Sequence, residues 1–256
     1  MNAVYCVPGM VHWGKVISKA LDWPLFAGCP VGDDVETVWI VGWYDPPHYG
    51  QTLEHTKRAK RRICSWHGSD ARMLTDAGVL PESINVADSE QISQHLRGFG
   101  IESIVIPVPT TVHAPVTPLP DKPVIGCYLG DSSRKYNQGM ALAVAEAMPD
   151  VDFHFYQTGM FSPTEMLEVM AKTSAFLRLT SFEGSCVSAR EYLEAGRPVV
   201  GSLYCATHKV DTESLESCVR GTRKALKDGL LPELRTMYWK DENSVEKWRE
   251  RIGGIL

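Results

Sequence analysis

The sequence is 256 residues long, 44% apolar and 22% charged, the make-up of a soluble globular chain able to bury one large core or two small ones. Its net charge of −5 argues against a nucleic-acid coat, and no apolar run approaches a membrane span. Seven scattered cysteines without a C-x-x-C pair argue against a disulfide framework or zinc site and for reduced thiols in a cytoplasmic setting; the opening MNAVYCVPGM lacks the basic-then-apolar order of a signal peptide.

Residues 3–7 read as a strand, 8–14 as a turn bearing Gly9 and Gly14, and 15–21 as a helix. Strand, glycine loop and helix can offer amides to a phosphate. The loop is not a G-x-G-x-x-G fingerprint, however, and an ordinary βα turn fits equally well. Residues 24–29 and 36–43 read as further strands, the second ended by Asp45-Pro46-Pro47. Residues 51–61 predict a helix running into Lys57, Arg58, Lys60, Arg61 and Arg62, five positive charges within six residues. Such a run is either a solvated face or a site for an anionic acceptor or membrane surface. A strand at 62–66 places His67 just past its carboxyl end, where open α/β sheets bind ligands. Asp70 can cap a helix at 71–77. Strand 84–87, helix 89–98 and strand 103–106 complete a half with about six short strands.

Six prolines fall within residues 107–123, blocking both helix and sheet ladders, so this stretch reads as a linker. A strand at 124–129 opens the second half. The loop 130–137 after it carries Arg134 and Lys135, which either neutralise a diphosphate or are plain exposed cations. Helix 139–147, strand 152–157 followed by Gly159, and helix 162–172 come next. Asp150 and Asp152 have D-x-D spacing but read as a helix-to-strand turn, not a metal pair. Strand 174–179 contains Arg178, either paired internally or directed at phosphates. After residue 200 the pattern weakens to amphipathic helices at 212–227 and 245–252, the latter bearing Trp248.

The most informative stretch is Thr180 to Val200, TSFEGSCVSAREYLEAGRPVV. Strand, turn, helix and strand follow one another within it. Ser185 is a good N-cap for a helix at 186–195, Gly196 fits the helix stop and Pro198 bars its continuation. A Gly/Ser turn feeding a helix N-terminus favours an anion, through free amides and the helix dipole. Glu183 in the turn and Glu191 in the helix can each accept hydroxyl protons. A diphosphate between two hydroxyl-binding carboxylates describes a nucleotide sugar.

Glu183, Gly184, Glu191, Gly196, Pro198, Val199 and Val200 together resemble the E-x7-E region of family 4 retaining glycosyltransferases. The likeness is close over residues 124–202, loose over 1–106 and absent in detail after 205, and the chain is shorter than typical family members. It implies an α/β GT-B fold, with two Rossmann-like domains facing a cleft. Residues 1–106 would form the acceptor-side domain, 107–123 the linker, 124–240 the donor domain, and 241–256 a terminal helix packing back on the first domain. It also implies a metal-independent hexosyltransferase with no cofactor, using a nucleotide sugar, UDP- or GDP-linked, and a glycan or lipid acceptor. The setting would be cytoplasmic or membrane-peripheral. Transfer to DNA bases, as in viral enzymes, or nucleotide-sugar binding without turnover are the alternatives.

By resemblance, Glu191 would hold the ribose, and the Gly184, Ser185, Cys186 and Val187 backbone with Arg134 and Lys135 the diphosphate. Gly9, Gly159 and Arg178 would line the donor, and Glu183 and His67 would face the sugar. Lys57, Arg58, Lys60, Arg61 and Asp70 would lie on the acceptor side. Asp131 stands where the family usually has an arginine after the glycine.

Overall fold

The computed structural model describes residues 1–42, 48–68, 71, 74, 82–109, 114–130, 136–157, 160–180, 184, 186–203, 205–234 and 244–256. The chain divides into two units. The first is Met1–Thr111, Glu183–Ser185 and Asn243–Leu256; the second is Val112–Phe182 and Cys186–Glu242. The described helices are α1 (Val11–Leu21), α2 (His48–Thr56), α3 (Glu90–Arg97), α4 (Gln138–Glu146), α5 (Pro163–Ala171), α6 (Val187–Glu194), α7 (Leu215–Asp228) and α8 (Val245–Gly253).

The first unit carries a six-stranded sheet of β1 (Asn2–Cys6), β2 (Leu25–Ala27), β3 (Thr37–Val41), β4 (Arg61–Trp66), β5 (Ser83–Ala87) and β6 (Ile104–Val105), in the order β2-β1-β3-β4-β5-β6. Every pairing in it is parallel. A parallel sheet covered by crossover helices is dry on both faces, so its central strands are unbroken apolar runs. The TVWIV of β3 is buried at all five positions. Helix α8 belongs to this unit: Trp248 packs against Trp39 of β3 at 5.3 Å between ring centroids, and Arg249 donates to the carbonyl of Ala20 at the end of α1.

The second unit carries β7 (Val124–Gly130), β8 (Asp152–Gln157), β9 (Ala175–Arg178), β10 (Val199–Gly201) and β11 (His208–Lys209), ordered β11-β10-β9-β7-β8 and again all parallel. Alternation along β9 sends Phe176 into one core, with Tyr192 and Leu193 of α6, and Ala175 and Leu177 into the opposite core, with Val144 and Cys218. Arg197 is wholly buried without a carboxylate partner among the described residues. It donates instead to the carbonyls of Ala171, Thr173, Ala195, Thr117 and Pro118 and to the Thr117 hydroxyl. This binds the chain after residue 114 to the ends of α5 and α6, and Glu194 adds a bond from the Ala114 amide.

Three local expectations change. Helix α1 starts at Val11 after a 3-10 turn at Pro8–Met10, so Gly14 is helical and not part of the turn. Helix α2 ends at Thr56, because Arg61 is already paired in register with Thr37; the basic run therefore lies in a turn and the first residues of β4. Helix α6 starts at Val187 with Cys186 at the cap position and no side-chain cap bond, one residue later than the expected Ser185 cap. Its end follows the expected form: Gly196 has φ +72°, its amide bonds Leu193 and that of Arg197 bonds Tyr192. The proline-rich stretch has neither helix nor strand at its described residues, 107–109 and 114–123.

Candidate functional site

In both sheets the strand order reverses beside the first strand, between β1 and β3 and between β7 and β9. Ligands of open α/β sheets bind past the carboxyl ends of the strands at such a reversal. In the second unit β7 ends at Gly130, whose φ of +69° suits glycine, and the Tyr136 ring lies where a β-carbon would stand. Beside it β9 ends at Arg178, which is buried. Its guanidinium lies 4.3 Å from the Tyr128 ring centroid and 5.1 Å from that of Tyr136, a cation held against two aromatic faces. The sequence left Arg178 open between an internal partner and a phosphate. The tyrosines supply the internal partner, while the residue still sits at the strand end.

Helix α6 follows β9. Cys186 is buried at its start and Val187 is half-buried. Glu191 is half-buried one turn further on. Burial pushes its carboxyl up to about 7, against the opposing pull of neighbouring Arg190. Among the described residues its side chain has no hydrogen-bond partner. Arg190 and Glu194 on the same helix are both buried. Glu183, Ser185, Arg134, Lys135 and Gly159 lie outside the described residues, as does Asp70.

In the first unit His67 follows β4, and its side chain is only 7% exposed. Nε2 is 3.0 Å from the Ser65 hydroxyl and Nδ1 is 3.4 Å from Oδ2 of Asp88. Trp13 of α1 stacks on the ring, with 6.0 Å between centroids and an interplanar angle of 6°. The order serine, histidine, aspartate is that of an activated nucleophile. Here, however, Ser65 is buried and its proton goes to the carbonyl of Ile40, so the hydroxyl is a structural group. Gly184 also groups with this unit; a β-carbon on it would lie 2.5 Å from the His67 carbonyl oxygen. Gly9 is exposed, with nothing within 4 Å of the place a β-carbon would take.

The basic run is matched by local partners. Lys57 pairs with Glu54 at 2.5 Å, Lys60 with Glu36 at 2.7 Å, and Arg58 with Asp33. Arg61 donates to the carbonyl of Leu256 and Arg62 to that of Lys57. Exposed pairs of this kind are weak and exchange readily with other anions. Asp150 of the D-x-D pair is engaged at both oxygens by Arg223, at 2.8 and 2.9 Å, which holds its carboxyl down to about 2. No group of three or more metal-binding side chains occurs among the described residues, and no described helix is long and apolar enough to cross a membrane. Burial pushes the thiol of Cys127 up to about 12 and those of Cys6, Cys205 and Cys218 to about 11, so none of these is a nucleophile near neutral pH.

Sequence reasoning passed over Ser65, Asp88, Trp13, Tyr128 and Tyr136. Asp88 had a signal: it follows β5 as His67 follows β4. Tyr128 had another, lying two residues before the glycine that ends β7.

No protein-family model and no curated relative matches the chain. Solved structures do. Sucrose-phosphate synthase from Thermosynechococcus elongatus superposes with a TM-score of 0.73 at 10% identity, over 100% of this chain and 98% of that one. The lipopolysaccharide outer core galactosyltransferase WaaB gives 0.65 at 12%, over the whole of both chains. TarM gives 0.63 at 13% over 88% of this chain, which spans 55% of TarM. The fold is GT-B, with two Rossmann-like α/β units.

Proposed function

We propose that the chain is a glycosyltransferase that moves a sugar from a nucleoside diphosphate, UDP or GDP, to a hydroxyl of a glycan or lipid. It would do so with retention of configuration and without a metal. The observation that carries this reading is Glu191. A half-buried carboxylate with no described group donating to it, on the helix that follows the strand beside the reversal point of a parallel sheet, is suited to a ligand that brings its own hydroxyl donors. The ribose of a nucleotide does so.

Two proteins of the same fold support the choice of donor. A mutant of S. aureus TarM is known in complex with fondaparinux, α-GlcNAc-glycerol and UDP, and the pneumococcal O-GlcNAc transferase GtfA in complex with UDP and GlcNAc. The diphosphate would be taken by Arg134, Lys135 and the amides of Ser185, Cys186 and Val187, with Arg178 and Gly159 beside it. Charge gathers on the leaving diphosphate as the glycosidic bond breaks, so cations and amides aimed there lower the barrier. Glu183 would hold sugar hydroxyls, and the leaving phosphate would take the acceptor's proton from the same face.

The test is thermal stabilisation by UDP, GDP, ADP and their sugars, on the wild type and on Glu191→Ala. A ligand that binds only the folded state raises Tm as its affinity grows. One nucleoside diphosphate should stabilise the wild type, and Glu191→Ala should need at least about tenfold more of it for the same shift. Stabilisation by none of them would remove the donor site, and transfer with it.

A further inference from the structure

We propose that His67 is a positioning residue charged at neutral pH, an imidazolium held between Ser65 and Asp88 that fixes the chain where it leaves the first sheet. The proposal follows from counting protons and lone pairs. The Ser65 hydroxyl has one proton and two lone pairs. Its proton goes to the Ile40 carbonyl at 3.0 Å, which can only accept. One lone pair takes the indole N–H of Trp39 at 3.0 Å, which can only donate. What remains for the Nε2 of His67, at 3.0 Å, is the second lone pair, so Nε2 carries a proton.

The other ring nitrogen faces Asp88. Oδ1 of Asp88 accepts the Val108 amide at 2.6 Å, shorter than a neutral N–H···O bond and in keeping with an ionised carboxylate. A carboxylate opposite Nδ1 requires a proton on Nδ1 as well. With both nitrogens protonated the ring is a cation, and the flat Trp13 face stacked on it favours that charge. Behind the pair lies a cavity of about 10 Å³ walled largely by Ile17, Trp39, Val86, Ile106 and Trp248. Apolar walls strengthen the attraction between the two charges. Among the described residues the ring meets Ser65 from β4, Asp88 from the end of β5 and Trp13 from α1, with His12 edge-on beyond Trp13.

Two consequences follow. His67 cannot serve as a general base, since both nitrogens already hold protons. And its charge favours the ionised Asp88 that accepts from Val108, so this ion pair ties the exit of β4 to the start of the proline-rich stretch. This holds whether or not the donor site binds a nucleotide.

The test is long-range ¹H–¹⁵N NMR of the histidine rings of the uniformly labelled whole chain, with His67→Gln assigning the His67 signals and separating them from those of His12. In the wild type both His67 nitrogens should stay at protonated shifts up to about two pH units above the ordinary histidine value. In Asp88→Asn, which keeps the shape and can still accept from Val108, His67 should be neutral at pH 7 with its proton on Nε2. Exchange of the Val108 amide should then quicken by about tenfold or more. Ser65→Ala leaves the ion pair in place and should leave the ring charged. One unprotonated His67 nitrogen in the wild type at pH 7 would overturn the proposal, because the proton would then sit on Asp88 or be absent. A ring still doubly protonated in Asp88→Asn would overturn it too.

Discussion

A carboxylate buried without a described donor is a burden on the folded state, and Glu191 makes that burden measurable. Its ordinary value is 4.5 and burial lifts it to about 7. Between those values the folded chain keeps a proton that the unfolded chain has released. Stability therefore falls as pH rises through this window, and stays lowered above it. At 1.36 kcal/mol per pKa unit, and allowing for partial exposure, the loss at pH 8 is on the order of 2 kcal/mol. Glu191→Gln removes the charge and keeps the shape. Denaturant unfolding should show the variant more stable than wild type at pH 8 and equal to it near pH 4.5. A gain of the same size at both pH values would trace the effect to packing and leave the charge blameless. Such a trade, stability given up where a ligand must be bound, is the mark of a site as distinct from a core position.

Between elements, α6 fits closely against β7 in the second unit. Gly126 lies mid-strand, and a β-carbon on it would stand 2.2 Å from the Tyr192 hydroxyl. That hydroxyl in turn lies 3.4 Å from Thr173. Gly126→Ala should cost about 1–3 kcal/mol by overpacking. Adding Tyr192→Phe removes the atom in the way, so the double variant should recover at least about 1 kcal/mol of the combined loss in a double-mutant cycle. Strict additivity would mean that α6 shifts away and the contact does not set its position. The sequence could not show this pairing, because it depends on β7 and β9 being neighbours across fifty residues. The strands themselves were legible, since a run such as VWIV has one stable place in a parallel sheet. So was the end of α6, where Gly196 acts locally. Helix α2 was over-extended for a related reason: lysine and arginine are good helix formers, but pairing of Arg61 with Thr37 overrides propensity. In the candidate site, spacing in the sequence singled out Glu191 as a candidate. Asp88 and Tyr128 carried only a positional signal at their strand ends, since it is the sheet order that brings them to His67 and Arg178.

For the whole molecule, the division into units does not follow the order of the chain. The last described helix, α8, belongs to the first unit, through the Trp248–Trp39 contact and the bond from Arg249 to Ala20. The strands of the first sheet all precede residue 106, but the core that α8 covers is therefore completed only after the second unit's sequence has been made. Trp248 is 2% exposed and walls the cavity behind the His67–Asp88 pair. Trp248→Ala should cost about 3–5 kcal/mol, the range for emptying a buried aromatic site. Where that loss falls is the sharper question. If each unit holds its own core, amide exchange in β1, β3 and β4 should quicken in the variant while β7 and β9 keep wild-type protection. Equal loss in both sheets would mean that the two cores melt as one cooperative body, and stability changes in one unit would then be felt at the Glu191 site of the other. Nucleotide binding separates the cases again. A donor held by the second unit should restore protection to β7 and β9 in a melted-together variant, and should leave β1 and β3 untouched if the cores are independent.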